Sequence, residues 1–211
     1  SGLDVLVLEA RRVGQQATGR STAKVTVQHG RKYGSLINAF GGEGARIYAH
    51  TNMSAMQEIA RLARDMPDQA GLEERSAYVY ATDESQAEEL EKEAQAAQSL
   101  GLPAKIVKTA GLPFATTALL EYPGQYQFHP YRYLVGLAAN MGVTIHEKSR
   151  VTEIVDGSPI QISVNGRTVM ARHVVVATQM PVVGEGMFFA KAFPFAHPVI
   201  AAQLPENRRL N

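Results

Sequence analysis

Cysteine and tryptophan are both absent from the 211 residues of this chain. Without cysteine, these residues offer no disulfide, no thiol nucleophile and no iron–sulfur ligation. Neither sign of charge is in excess, because 21 lysines and arginines stand against 20 aspartates and glutamates. Proteins that bind nucleic acid need a basic surface that neutralises phosphates, so we do not expect a nucleic-acid partner.

Long hydrophobic runs are lacking as well. The longest, such as residues 174–177, fall far short of the roughly 18 residues that a membrane helix needs. The first apolar stretch begins after Asp4 without a basic flank, which is unlike a signal peptide. We therefore expect a cytoplasmic protein without a membrane span. Its 19% of charged and 45% of hydrophobic residues exclude the disordered and collagen-like classes.

Hydrophobic periodicity and turn residues predict the order of the secondary-structure elements. Leu3–Leu8 is a short run rich in valine and leucine, typical of a parallel strand buried on both faces. Asp83 is expected to cap a helix that ends at Gly101, and Asn165-Gly166 is a strong signal of a two-residue hairpin turn. The other predicted elements are a helix at 43–66, a strand at 76–81, an extended stretch at 118–128 interrupted at 122–124, a helix from Pro130 to Gly142, strands at 143–146, 151–155, 160–164 and 168–171, and a buried strand at 173–177.

Glu9 directly follows the first predicted strand. In dinucleotide-binding folds an acidic residue in this place accepts hydrogen bonds from the ribose, about 20 residues after a glycine-rich phosphate loop. No such loop precedes Glu9, and the glycines at 41, 42 and 44 are better explained as a loop before a helix. Two interpretations stay open here. Glu9 is a polar residue that ends a buried strand, or the first strand, phosphate loop and first helix of a cofactor domain are missing.

The residues after Glu9 favour the second interpretation. The sequence EARRVGQQATGRSTAK at 9–24, followed by Gln28-His29-Gly30, resembles the D-amino-acid-oxidase-like family of FAD-dependent oxidoreductases. The likeness is closest to the branch whose members carry a C-terminal Rieske iron–sulfur domain, because of the GRSTAK stretch with Gln-His-Gly shortly after it. It continues along the chain at Phe40-Gly41, residues 127–130, residues 174–178 and residues 188–191.

The resemblance implies an α/β fold. It consists of an FAD/NAD(P)-binding Rossmann-like domain, incomplete because its first βα unit is missing, with an inserted α+β substrate domain. We expect a chain truncated at both ends, with weak or no FAD binding and an incompletely buried first strand. The implied domain segments are 1–44 and 128–183 for the FAD-binding domain, 45–127 for the insertion, and 184–211 for the start of the return to the substrate domain.

The resemblance also implies FAD as the cofactor and assigns its contacts. Glu9 would bind the adenosine ribose, Arg11 would lie near the adenine, and the backbone of Val151 would meet the adenine. His29 would lie beside the flavin ring and is the one candidate catalytic residue, although a solitary histidine next to glycine is more often structural. The remaining implied cofactor contacts are Thr18, Gly19, Arg20, Ser21 and Thr22 for the pyrophosphate and ribityl chain, and Ala177 and Thr178, where Gln179 replaces the family's glycine.

Two interpretations compete for several other polar and aromatic residues. His129, Phe189 and Lys191 occupy family-like positions, where helix capping or sheet packing competes with substrate contact. Three tyrosines either line a substrate cavity or fill the core; they are Tyr126, Tyr131 and Tyr133. The six histidines show no H-x-x-x-H pair, so we expect no metal site.

Flavin chemistry needs no nucleophile–base pair in the protein, and the chain has no G-x-S-x-G elbow of a serine hydrolase. We therefore expect an FAD-dependent oxidoreductase that transfers a hydride from a small amine- or amino-acid-type substrate to flavin, this fragment being inactive alone. The resemblance also allows a Rieske iron–sulfur domain in the parent chain, and oxygen, a quinone and an iron–sulfur partner stay open as electron acceptors. The alternative is a non-catalytic binding or interaction module that keeps the fold without the cofactor.

Overall fold

The computed structural model describes residues 2–178 and six separate positions beyond them, namely 191, 195, 200, 202, 203 and 205. The chain forms two compact units. The first unit joins the described residues up to 15 to the described residues from 140 onward, and the second contains residues 16–139. The units divide after 15 and 139, whereas the segments predicted from the sequence divide after 44, 127 and 183. Their assignment to cofactor and substrate domains stays a prediction.

The first unit contains a parallel strand pair and a separate antiparallel meander. Strand β1 (Leu6–Leu8) pairs in parallel with β6 (Thr144–His146). The meander consists of β7 (Val151–Val155), β8 (Ile160–Val164) and β9 (Arg167–Ala171). Asn165 and Gly166 join β8 to β9 with φ angles of 48° and 71°, as the sequence predicts for a two-residue turn with two left-handed residues.

Two predicted strands of the first unit have different outcomes. Leu6 is 42% exposed, and β6 is the partner of β1 within the described residues. The pattern of a strand buried on both faces is therefore not realised, and the expected incomplete burial of the first strand is confirmed. The buried strand predicted at 173–177 is wrong, because this segment has no regular structure and Val175 is 88% exposed. A valine run becomes a buried strand only where a neighbour pairs with it. The described residues supply no such neighbour at 173–177.

A sheet built around one long strand organises the second unit. Strand β5 (Ala118–Gln127) pairs with β3 (Glu73–Ala81) on one edge, and with β2 (Lys24–Val25) and β4 (Lys105–Val107) on the other. The predicted interruption of β5 is a bulge rather than a break. The register shifts between Arg75 and Ala77, opposite Pro123 and Gly124, because proline lacks an N–H for the ladder.

Three helices complete the second unit. Helix α1 spans Tyr33–Arg64, α2 spans Glu84–Ser99 and α3 spans Pro130–Asn140. The side chain of Asp83 accepts a hydrogen bond from the Gln86 amide at 2.9 Å, as the sequence predicts. Helix α1 starts ten residues before the predicted helix and is kinked at Gly41, whose φ of 72° is not helical. The glycines at 41, 42 and 44, which were predicted to form a loop, therefore lie within a kinked helix.

The core of the second unit lies where α1 and α2 pack on the sheet. Ala77 and Val79 of β3 pack against this core, whereas Tyr78 and Tyr80 alternate to the opposite, exposed face. The largest fully buried side chains are Val27, Tyr33, Leu90, Leu100, Leu119, Leu120 and Tyr122. In the described part of the chain, no helix is long and apolar enough to cross a membrane; a cytoplasmic location stays a prediction.

Candidate functional site

The second unit carries an open groove of about 560 Å³, which we call the β2–β3 groove. Three residues predicted to contact the cofactor meet there, namely Ser21, Thr22 and His29. The opposing contribution comes from β3, which supplies Tyr78 and Tyr80. The full lining is Ser21, Thr22, Lys24, Thr26, Gln28, His29, Gly30, Tyr78, Val79 and Tyr80.

The other predicted contacts of this segment form a short turn just before the groove. Thr18–Arg20 is a single 3-10 turn in which none of the three residues is buried. The Arg20 amide donates to the Ala17 carbonyl at 3.1 Å, and the Ser21 amide donates to the Thr18 carbonyl at 3.3 Å. Glycine and short hydroxyl side chains in an exposed turn form a surface that an anion can approach closely.

A buried glutamine fixes the backbone that leads to His29. Gln125 is 2% exposed, and its Oε1 accepts hydrogen bonds from the Thr26 hydroxyl at 3.0 Å and the Val27 amide at 2.8 Å. Its Nε2 donates to the Pro123 carbonyl at 2.9 Å. Gln125 could not be predicted from the sequence, because a single glutamine about 100 residues away carries no signal of this contact.

A buried glutamate fixes the same segment from the other side. The Glu93 carboxylate on α2 accepts hydrogen bonds from the amides of Lys32 at 2.7 Å, Tyr33 at 2.6 Å and Gly34 at 3.0 Å. These amides start α1, where the helix leaves its first N–H groups without internal partners. The Tyr33 hydroxyl also donates to the Val27 carbonyl at 2.5 Å. Burial raises the pKa of Tyr33, so its hydroxyl stays protonated and remains a donor.

His29 is exposed and hydrogen-bonded to a tyrosine of α1. Its Nδ1 lies 3.0 Å from the Tyr48 hydroxyl, and the two rings meet edge to face. Partial burial lowers the pKa of His29, the nearby Lys32 charge lowers it further, and a hydrogen bond to the Thr26 backbone opposes them. The imidazole is therefore neutral at pH 7. Tyr48 was missed because nothing in the sequence links it to a histidine 19 residues earlier.

A polar cluster adjoins the groove on the exposed face of the sheet. Glu121 of β5 accepts hydrogen bonds from the Ser76 hydroxyl at 2.7 Å and the Tyr78 hydroxyl at 3.3 Å, and it pairs with Lys105 at 3.1 Å. Burial raises the pKa of Glu121, but the hydrogen bonds from Ser76 and Lys105 outweigh it and hold that pKa below its ordinary value. The carboxylate is therefore ionised. Farther along β3, the ring of Tyr80 meets the ring of Phe114 edge to face, with 5.2 Å between the ring centroids.

The residues implied at the adenosine end lie in the first unit. The Glu9 amide donates to the His146 carbonyl at 2.9 Å, and the Ser149 amide donates to the Glu9 carbonyl at 2.8 Å. Glu9 Oε1 accepts the Arg11 amide at 2.8 Å. These bonds hold Glu9 and Arg11 beside the loop that leads into Val151 at the start of β7, at the carboxyl ends of two parallel strands.

Ala177 and Thr178 are exposed and follow β9 without regular structure. His129 accepts the Arg132 amide at 3.3 Å through Nδ1, so it caps α3. Tyr126 and Tyr133 pack against hydrophobic clusters rather than line the groove, and Tyr131 is exposed on α3. Lys191 is exposed and Phe189 lies outside the described residues. Within the described part of the chain, no group of three histidine or carboxylate side chains could hold a metal.

Comparisons with known proteins establish the family. The sequence model of the DAO family, described as FAD dependent oxidoreductase, matches residues 1–207. The chain belongs to this family. The predicted recognition and the α/β FAD-binding fold class are thereby confirmed, and FAD is the cofactor of the family.

The individual relatives have low sequence identity to this chain, and each of them is longer than it. A curated relative, the putative Rieske 2Fe-2S iron-sulfur protein YhfW of Bacillus subtilis, is 27% identical over 205 residues, which are 95% of this chain and 40% of YhfW. Glycine oxidase from Geobacillus kaustophilus superposes with a TM-score of 0.68 at 22% identity, over 84% of this chain and 49% of its own. L-proline dehydrogenase from P. horikoshii superposes with a TM-score of 0.64 at 15% identity. The match covers 85% of this chain and 47% of the dehydrogenase. The chain thus spans half or less of each.

Proposed function

We propose that the protein to which this chain belongs transfers a hydride from a small amine- or amino-acid-type substrate to FAD. The β2–β3 groove carries this proposal, because it joins Ser21, Thr22 and His29 of the family motif to the tyrosines of β3. Ser21 and Thr22 are implied to contact the pyrophosphate and ribityl chain of FAD, and His29 the flavin ring. The exposed sheet face offers the opposing wall for a substrate. The two solved relatives are named after amino-acid substrates, glycine and L-proline.

Each unit, taken by itself, contains residues that fit one part of FAD. Glu9 stands at the carboxyl end of a parallel strand, where open α/β sheets bind nucleotides. Its Oε1 is held by the Arg11 amide, which orients the carboxylate for a ribose hydroxyl. In the second unit, the exposed Thr18–Arg20 turn fits a pyrophosphate.

When bound, FAD supplies the hydride acceptor. The chain's own residues bind and orient the reactants. His29 is neutral, so it places no positive charge beside the ring. Gln125 and Glu93 hold the backbone on both sides of His29, which keeps the imidazole in a fixed position. The name of the curated relative also supports a Rieske iron–sulfur domain as redox partner in the longer protein.

Absorbance spectroscopy and calorimetry test this function. The protein expressed from the longer open reading frame should show a flavin spectrum. Glu9→Ala should weaken FAD binding by about ten- to a hundredfold, since a hydrogen bond to a charged group is worth roughly 1.5–3 kcal/mol. Asp4→Ala is the matched control, because Asp4 is an exposed carboxylate in the same segment. A colourless protein that also ignores added FAD would exclude the oxidoreductase and favour a non-catalytic module.

A further inference from the structure

Tyr78 lines the β2–β3 groove with a polar group whose orientation decides what it can bind. A tyrosine hydroxyl has one proton to donate and two lone pairs that accept. Tyr78 is 40% exposed and belongs to the lining of the groove. If the proton is held by the protein, the groove receives only lone pairs.

The neighbours of Glu121 hold that proton. Glu121 Oε1 accepts from the Ser76 hydroxyl at 2.7 Å and from the Tyr78 hydroxyl at 3.3 Å, while Oε2 accepts from Lys105 Nζ at 3.1 Å. An ionised carboxylate has no proton to give. The Glu121 side chain is 12% exposed, and this partial burial strengthens its bonds relative to exposed pairs. Tyr78 therefore donates to Glu121 and turns its lone pairs outward.

We propose that Tyr78, with its proton held by Glu121, is a substrate-binding residue that selects a ligand bearing an N–H donor over one bearing a carboxylate. The proposal rests on the proposed function, because it takes the β2–β3 groove as the substrate site. It adds a polarity to that site: the amine nitrogen of the substrate points toward β3. Tyr78 contacts the substrate, and Glu121 is a positioning residue that acts through Tyr78.

Replacing Glu121 by glutamine reverses the polarity without changing the shape. Lys105 can only donate, so it takes the amide oxygen of E121Q. The amide NH₂ then faces Ser76 and Tyr78, and both hydroxyls must accept from it. The Tyr78 proton becomes free to donate into the groove, where it favours a carboxylate.

Ligand titrations followed by NMR measure this preference. The probes are propylammonium and propionate, which have equal length and opposite hydrogen-bonding polarity at pH 7. Signals of ¹³C-labelled tyrosine rings report binding, with the Tyr78 signal assigned by its loss in Tyr78→Phe. We expect the wild-type chain to bind propylammonium more tightly and E121Q to reverse the order, with a combined change of about tenfold, or roughly 1.4 kcal/mol. Tyr131→Phe removes an exposed phenol outside the groove and should leave the preference unchanged.

A double-mutant cycle separates polarity from charge, because E121Q also removes a negative charge near the groove. In the Tyr78→Phe background, E121Q should change the preference by less than about threefold, since the coupling runs through the hydroxyl. An equal change with and without the hydroxyl would overturn the proposal, as would an unchanged preference in E121Q. Ser76→Ala keeps both Glu121 and Tyr78, so this variant should retain the wild-type preference for propylammonium. It tests the proposal even if E121Q folds poorly, because a loss of that preference in Ser76→Ala would also refute the proposal.

These titrations need no flavin. If E121Q reverses the ligand preference but the protein never binds FAD, the proposed function is disproved and the inferred polarity of the groove is still supported. A flavin-loaded protein without the reversal disproves only the role of Tyr78.

Discussion

The buried Glu93 carboxylate offers the sharpest test of what holds the groove segment in place. Glu93 is 5% exposed and accepts hydrogen bonds from three consecutive backbone amides, those of Lys32, Tyr33 and Gly34. The perturbation is Glu93→Gln, which keeps the shape of the side chain and removes its charge. If the amide oxygen takes the place of Oε1, it still accepts from two amides, while the NH₂ meets the Gly34 amide as donor against donor.

The cost follows from these bonds. Losing the charge-assisted bond to Gly34 and leaving that amide unpaired costs about 2 kcal/mol, and weakening the other two costs about 0.5 kcal/mol each. We therefore expect E93Q to lose about 3 kcal/mol of stability. The matched control is Glu89→Gln, one helical turn earlier. Glu89 is half-exposed and pairs with Arg31 at the surface, so its loss should cost less than about 1 kcal/mol.

Two measurements check this expectation. Urea unfolding followed by circular dichroism gives the loss of stability, and hydrogen exchange gives the local protection of the amides at 32–34. Exchange is needed because a chain of two units is not guaranteed to unfold in one step. Equal losses in E93Q and E89Q, or unchanged exchange at residues 32–34, would show that the carboxylate does not anchor α1.

Three further predictions concern the neighbouring contacts. His29 should titrate below 6.5 by NMR, so the folded chain loses stability as the pH falls below 6.5; Lys32→Met should raise its midpoint only partly, because burial is the larger cause. A midpoint above 6.5 would contradict this. Gln125→Leu should cost about 2–3 kcal/mol in urea unfolding because it strands buried partners, whereas Gln98→Leu, which loses one half-buried bond, should cost about 1 kcal/mol; equal costs would refute the argument. Asp83→Ala should lower stability by about 1 kcal/mol through the lost helix cap, and a neutral effect would mean that the cap is frayed in solution.

Local chemistry explains which elements could be predicted from the sequence. The cap at Asp83 and the turn at Asn165-Gly166 are decided by residues three or fewer positions apart, and the structure has both. The strand predicted at 173–177 depended on a neighbour that the described residues do not provide. The start of α1 was missed for a related reason. Its first amides are satisfied by Glu93, about 60 residues away, and the intervening glycines suggested a loop.

The candidate site also combines features decided by residues close in sequence with features decided by distant residues. Ser21, Thr22 and His29 lie within nine residues of one another, so a local motif was enough to propose them together, and the groove brings them together. The residues that hold and complete the groove are Tyr48, Gln125 and the Tyr78–Glu121 pair, which contact their partners across 19 to 99 positions. Such contacts exist only once β5 has paired with β2 and β3. The motif can therefore indicate a cofactor, but the polarity of the opposing wall, on which the proposed substrate selection rests, is a property of the folded sheet.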